Sequence, residues 1–291
     1  MRFAQLTKEI FCKPCLINPL MHAQIAEIFL RRMNGEEVTL SETGQAGSQR
    51  YEARGKLARN SDGLPEGLLT IQGDVAVLNI SGPITQRVPN IWKELCGMTD
   101  LDDMTRAFKD AEASPRVAGI VLNIDSPGGS VTGVPEFGNL IADCTKPVVA
   151  FTDSMCDSAA YWIAAGADEI VSTESASVGC IGVYMAFLDK TRALEAQGLD
   201  VELFKTGVFK GMGYPGTSLT EEHRALLQAE VDEIHEWFTG HVSEHRNITG
   251  EDTFEGQDFS GRNAKGRGLV DEVGDFDFAV EELRTLIEMR S

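Results

Sequence analysis

The stretch PVVAFTDSMCDSAAYWIAA, residues 147–165, combines the patterns of a strand, a turn and a helix. Residues 147–151 have the length and β-branched content of a buried strand, and 153–157 form a short polar turn. Ser158 then opens a helical pattern of small and apolar residues. At such a junction the hydroxyl lies near free backbone N–H groups, which favour a developing oxyanion. The alternative is an N-cap, since serine is common just before helices in all kinds of protein.

Strands alternate with helices on both sides of this stretch. The sequence predicts further strands at 74–80, 117–125, 169–172 and 201–205, and helices at 101–113, 134–143, 189–197 and 220–246. The strand at 117–125 is almost continuously apolar, as in a sheet covered on both faces. This alternation predicts an α/β fold of βαβ units with a mostly parallel sheet. Thr220 starts the longest helix with a capping box in which His223 replaces the usual Glu or Gln.

The two ends of the chain differ in composition from this α/β region. Residues 1–38 are predicted to form a helical arm, because apolar residues recur at helical spacing between Met21 and Met33. Residues 39–67 are rich in Gly, Ser, Glu, Gln and Arg, which is typical of a flexible linker. We therefore expect one α/β domain over residues 68–283, followed by a C-terminal tail at 284–291.

Charge and hydropathy exclude several classes of partner. The 291 residues carry a formal net charge of -19, whereas nucleic-acid binding requires a basic face. No run approaches the roughly 20 apolar residues of a membrane span. Lys8 and Lys13 interrupt any apolar core of a secretory signal. We therefore expect a cytoplasmic protein with no nucleic-acid partner and no membrane span.

Two short motifs could suggest a metal, and neither has the context that a metal site needs. Cys12 and Cys15 form a C-x-x-C without a second one for zinc and without a preceding βαβ unit. The stretch 241–245 reads H-x-x-E-H, with His241 and His245 on one helix face and no evident third ligand. The nucleotide-binding glycine motifs are missing as well. We expect no metal and no cofactor, and we interpret the cysteines beyond the C-x-x-C as small buried apolar residues.

A second turn lies at the carboxyl end of a predicted strand. The motif S-P-G-G-S at 126–130 follows the strand at 117–125, and such strand ends are where sites form in parallel sheets. Gly128 and Gly129 allow a backbone N–H to approach a ligand, because no Cβ stands in the way. Glycines also punctuate ordinary turns, so a tight turn without a ligand is the alternative.

A serine nucleophile needs a base, and histidine is poorly placed to provide one. None of the five histidines lies between residues 23 and 222, so a Ser-His-Asp triad would need a histidine from the C-terminal helix. Lysine is the other option. It acts as a base only when neutral, so its pKa must fall from about 10.4 by roughly 3 units, which burial can achieve. Lys205 and Lys210 follow a predicted strand among apolar and glycine residues, although most lysines simply lie on the surface.

Five motifs in a fixed order carry a family resemblance. They are S-P-G-G-S at 126–130, S-A-A-Y at 158–161, V-G-C-I-G-V at 178–183, K-T-G-V-F-K at 205–210 and G-L-V-D-E-V-G at 268–274. This series, spread over residues 74–283, resembles the signal peptide peptidase A family of serine-lysine peptidases. More narrowly, it is similar to the phage members that process head proteins during capsid assembly. The resemblance implies a ClpP/crotonase-like fold and a serine endopeptidase that works through an acyl-enzyme.

The resemblance also implies roles for individual residues. Ser158 falls on the nucleophile and Lys210 on the general base, with Lys205 as second choice for the base. The oxyanion donors would be the backbone N–H of Gly128 or Gly129 and that of Ala159. Four departures from the family pattern bear on these roles. Ala159 and Ala160 replace two glycines, and Cys156 and Asp157 replace small residues. Cys180 replaces a serine that assists the lysine, and glycines after Lys210 replace the usual acidic or small residue.

Family members close the site between neighbouring subunits, which implies a homo-oligomer with a shared site. The substrate would be a protein or peptide, with scaffold, portal and coat proteins, the chain's own termini and a host peptide as open alternatives. A different class of function also stays open. The chain could be a non-catalytic structural or acyl-binding member of the same fold, in which the oxyanion turn serves another ligand.

Overall fold

The computed structural model describes residues 14–17, 67–87, 97–250 and 252–290, together with positions 19, 22, 23, 26, 27 and 31. Residues 39–66 of the predicted linker, Cys12 and most of the predicted helical arm lie outside these residues. Within the arm, the six separate positions are helical and residues 15–17 form a strand.

Strands and helices are numbered in chain order. The strands are β1 (Cys15–Ile17), β2 (Leu69–Gln72), β3 (Val75–Ser81), β4 (Ile84–Thr85), β5 (Thr99–Asp100), β6 (Gly119–Asp125), β7 (Gly128–Ser130), β8 (Val148–Thr152), β9 (Met155–Asp157), β10 (Glu169–Ser172), β11 (Ser177–Gly179), β12 (Asp258–Ser260) and β13 (Glu272–Val273). The helices are α1 (Leu101–Ala113), α2 (Val134–Ala142), α3 (Ala159–Ala165), α4 (Thr191–Glu195), α5 (Glu221–His245), α6 (Gly261–Gly266) and α7 (Phe276–Arg290).

The chain divides into two compact units. The larger unit comprises Leu16–Gly182 and Trp237–Ser291, and the smaller one comprises Met1–Cys15 and Val183–Glu236. The core of the larger unit is a six-stranded sheet in the order β13-β10-β8-β6-β3-β2, parallel except for the pairing of β2 with β3. This topology confirms the predicted α/β class with a mostly parallel sheet.

Apolar strands at the centre of this sheet are covered on both faces. Helix α1 packs on β3 and β6, and α7 packs on β6 and β8. Under α7 lies a cluster that includes Val121 of β6, Phe151 of β8 and Leu283 of α7. Because neither face of β6 meets water, its run of apolar residues does not alternate with polar ones. Residues 284–290, which were predicted as a tail, continue α7.

Two smaller sheets sit at the ends of the parallel strands. One has the order β1-β7-β4-β5, and the other has the order β12-β11-β9. In the second, β9 runs parallel to β11 and β12 runs antiparallel to it. Strand β9 was predicted as a polar turn, yet it pairs with β11 over all three of its residues.

The smaller unit contains α4 and the first part of α5. The capping box at the start of α5 forms as predicted: the Thr220 N–H donates to His223 Nδ1, and the His223 N–H donates to Thr220 Oγ1, both at 3.3 Å. The strand predicted at 201–205 is wrong, because these residues are irregular and almost entirely exposed. A strand needs a neighbour for its backbone hydrogen bonds, and the pattern of five residues cannot reveal whether one exists.

No helix in the described parts of the chain combines the length and the apolar character needed to cross a membrane.

Candidate active site

Ser158 occupies the single residue between β9 and α3. Its backbone has φ 56° and ψ -117°, and its N–H donates to the carbonyl of Gly179 on β11 at 2.7 Å. A side chain in this region of backbone conformation costs about 1–3 kcal/mol, and such strain concentrates at functional sites. Ser158 is the N-cap residue of α3, as the alternative interpretation expected, but its hydroxyl makes no capping hydrogen bond to the helix. Ser158 is 1% exposed in the isolated chain.

The glycine turn lies directly against this serine. Gly128, at φ 95°, is so close to the start of α3 that an added Cβ would lie 2.9 Å from the backbone nitrogen of Ala159. The fold therefore brings together Ser158 and two of the predicted oxyanion donors. The Gly128 N–H donates to Ser126 Oγ at 3.2 Å, so it would have to release this bond to act as a donor.

Gly129 has even less room than Gly128. It pairs with Ile84 of β4, and an added Cβ would lie 1.7 Å from the Ile84 carbonyl oxygen. Backbone packing, and not a ligand, thus requires the second glycine of the motif. In this S-P-G-G-S motif, a tight turn and a close approach to the start of α3 therefore occur together.

Replacing Gly129 with alanine is expected to lower the free energy of unfolding by roughly 1–3 kcal/mol or more, because the backbone of β4 must move. Urea denaturation followed by circular dichroism measures this change. Gly240→Ala is the matched control. Gly240 lies within α5 with nothing within 4 Å of an added Cβ, so alanine should raise stability by about 0.5–1 kcal/mol. Equal effects of the two substitutions would contradict the packing described for Gly129.

Asp157, the residue before Ser158, is fully buried beside a second carboxylate. Ser177 Oγ lies 3.2 Å and 3.3 Å from the two carboxylate oxygens of Asp157 and 3.0 Å from Asp258 Oδ2. A hydroxyl has one hydrogen to donate, so the two carboxylates compete for it. Sequence reasoning missed Ser177 and Asp258, because Asp258 joins this group only through the pairing of β12 with β11.

Cys180 follows Gly179 and has the positive backbone φ of 51° that few residues other than glycine adopt. Burial, together with the smaller effects of the Asp157 and Asp258 charges, raises the pKa of its thiol to about 12. Burial likewise raises the pKa of Cys156 well above its usual range. Both thiols are therefore neutral near pH 7, and Cys180 could assist a lysine only as a weak hydrogen-bond donor.

The two candidate bases lie in the smaller unit. Residues 202–210 are all exposed, including Lys205 and Lys210. Lys205 Nζ donates to the carbonyl of Val208 at 2.8 Å, which ties this lysine to its own loop. Large apolar side chains in this loop are also exposed to solvent, with an exposed fraction of 90% for Phe204 and 61% for Val208. In the isolated chain, water thus surrounds the lysine motif.

The last motif, G-L-V-D-E-V-G, anchors the helix that follows Ser158. The hydroxyl of buried Tyr161 on α3 donates to the Leu269 carbonyl at 2.8 Å. Asp271 accepts from the Ile170 N–H at 2.7 Å and pairs with Arg246 at 2.6 Å. This motif therefore has a structural role, because it holds α3 and β10 in place.

The H-x-x-E-H stretch is also structural. His241 is buried beside Trp162, which stacks on Phe238 with the ring centroids 4.7 Å apart. Burial, with a smaller effect of His245, lowers the pKa of His241 to about 4, so the ring is neutral at pH 7. Within the described residues, no group of three or more His, Cys, Asp or Glu side chains is placed to hold a metal ion.

Comparisons with known proteins identify several relatives. The family model described as Peptidase family S49 matches residues 141–290. Capsid assembly protease C of Escherichia phage lambda is 32% identical over 225 residues, which are 76% of this chain and 51% of that protein. The head-tail preconnector protein of Enterobacteria phage P21 is 25% identical over 287 residues, which are 95% of this chain and 56% of that protein. The chain spans about half the length of these curated relatives.

Two solved structures illustrate the fold neighbours. A ClpP1 variant from Listeria monocytogenes has a TM-score of 0.45 at 16% identity, covering 70% of this chain and 94% of that one. An enoyl-CoA hydratase from Shewanella pealeana has a TM-score of 0.45 at 10% identity, covering 85% of this chain and 82% of that one.

Proposed function

Because the chain belongs to peptidase family S49, we propose that it is a serine endopeptidase with Ser158 as nucleophile and Lys210 as general base. The observation that carries the proposal is the backbone at Ser158. A buried serine is held at a strand–helix junction in a strained conformation, without the capping bond that would explain it structurally. A purely structural serine would have no reason to keep this geometry beside Gly128 and Ala159.

In the proposed reaction, neutral Lys210 takes the proton of Ser158 while the serine oxygen attacks a peptide carbonyl. The carbonyl oxygen becomes negative and is stabilised by the N–H of Ala159 and by that of Gly128 or Gly129. The tetrahedral intermediate then breaks its C–N bond, and the leaving amine takes the proton from the lysine. Water, deprotonated by the same lysine, finally hydrolyses the acyl-enzyme and regenerates the serine.

A site shared between copies in a homo-oligomer would give Lys210 the burial that it lacks in the isolated chain. A lysine must be desolvated to be neutral near pH 7, which costs about 4 kcal/mol. Lys210 is exposed and stands among exposed apolar residues such as Phe209, so a second copy of the chain covering this loop would remove water from both. We therefore propose that neighbouring copies complete each site.

The names of the relatives lead us to propose that the substrate is a phage head protein, such as a scaffold, portal or coat protein. The reaction would then take place in the host cytoplasm or in the procapsid interior.

To test this proposal, the wild type and Ser158→Ala are incubated with co-expressed head proteins, and the new peptide ends are mapped by mass spectrometry. We expect defined cuts with the wild type alone. The same cuts with both proteins would contradict Ser158 as the nucleophile. Head proteins that stay intact, while the enzyme cleaves a generic peptide, would contradict the proposed substrate.

A further inference from the structure

Strand β1 lies where the sequence predicted a helical arm. It forms the edge of the sheet β1-β7-β4-β5, and its neighbour β7 carries the two glycines beside Ser158. Leu16 is fully buried and Ile17 is 6% exposed. A short strand far upstream in the sequence is thus buried against the candidate active site.

The carbonyl oxygen of Leu16 lies close to Gly128 of β7. A Cβ on Gly128 would lie 2.2 Å from the Leu16 carbonyl oxygen and 2.9 Å from the Ala159 nitrogen. The Leu16 oxygen and a predicted oxyanion donor therefore border the same small space. In the proposed reaction, the carbonyl oxygen of a bound peptide lies beside the same Ala159 N–H.

From this juxtaposition we infer that the edge of β7 is the strand-binding site for peptide, and that Cys15–Ile17 fills it as an internal ligand. Leu16 takes the place of the residue whose carbonyl is attacked, so the ligand class is an extended peptide with an aliphatic side chain there. The inference rests on the proposed function, because it assigns the occupant of the same site.

The burial of the nucleophile agrees with an occupied site. Ser158 is 1% exposed, so a peptide from solution has no access to it while β1 is in place. Extended peptides commonly bind by adding a strand to a sheet edge, where backbone hydrogen bonds give affinity and side-chain pockets give specificity.

The test measures how fast a fluorophosphonate labels Ser158 in the wild type and in Leu16→Asp. We expect Ser158 of Leu16→Asp to be labelled at least about tenfold faster than Ser158 of the wild type. In the wild type β1 fills the site most of the time, so the reagent can reach Ser158 only during the remaining fraction. Leu283→Ala, which removes an equally buried leucine from the core under α7, should be labelled at the wild-type rate. A peptide of residues 13–19 should slow the labelling of Leu16→Asp, and a scrambled peptide should not.

A second measurement avoids the risk that Leu16→Asp misfolds. A leucine phosphonate is bonded to Ser158 of the wild type, and hydrogen exchange of residues 15–17 is followed by mass spectrometry. We expect their protection to be lost, whereas Ser158→Ala treated in the same way keeps it. If residues 15–17 stay protected from exchange in the phosphonate-bonded wild type, the internal ligand is overturned. Equal labelling rates of the wild type and a folded Leu16→Asp overturn it as well. Neither result contradicts the proposed peptidase activity. If Ser158 is labelled in none of the proteins, both proposals fall.

Discussion

Replacing Ser158 with alanine is expected to abolish fluorophosphonate labelling and to reduce peptide cleavage at least about a thousandfold, as for other serine nucleophiles. The reason is chemical, because alanine has no oxygen to form the acyl-enzyme. Labelling is measured by mass spectrometry of the intact protein, and cleavage by the release of a fluorescent peptide. Stability should change little, since the substitution removes only a hydroxyl that makes no capping bond and leaves the backbone strain in place.

Ser154→Ala is the matched control for this prediction. Ser154 lies four residues upstream in the same segment, and it is exposed. We expect Ser154→Ala to be labelled and to cleave like the wild type. Equal labelling of the wild type and Ser158→Ala would exclude Ser158 as the nucleophile and would favour a non-catalytic member of the fold.

Replacing Lys210 with alanine is expected to lower the rate of acylation by about 10²–10⁴, the usual contribution of a general base. Lys210→Arg should be nearly as slow, since a guanidinium does not release its proton near neutral pH. The rate of acylation, followed by the labelling of Ser158 over time, checks both variants.

Lys205→Ala separates the two lysines of the motif. Lys205 Nζ is bonded to its own loop through the Val208 carbonyl, so we expect this variant to keep most of its activity. A large loss in Lys205→Ala with an active Lys210→Ala would reverse the assignment of the base. Mixing inactive Ser158→Ala with inactive Lys210→Ala should partly restore activity if neighbouring copies share the site, and a mixture that stays inactive would contradict sharing.

Local patterns predicted the regular elements well. Helix α1 begins and ends where its periodicity predicts, and β6 covers most of the apolar run at 117–125. The burial of both faces of the sheet is visible in the sequence, because it leaves a continuous apolar run. The family motifs predicted a site formed by Ser158 and the two glycines, and in the fold these residues lie close together.

The short strands could not be predicted, because each depends on a distant partner. Gly128–Ser130 forms a strand only beside β4, and β1 forms only where it joins the same sheet. The pairing of β11 with β9 and β12 likewise brings Ser177 between two carboxylates that the sequence keeps apart. Residues 201–205 show the reverse, since their strand-like composition has no partner strand in the described part of the chain.

The exposure of the loop that carries Lys210 and Phe204 has a consequence for how activity depends on protein concentration. An enzyme that has the proposed shared site is inactive in dilute solution, and its specific activity rises with concentration as copies associate. Confinement of many copies inside a small compartment would then be enough to activate it.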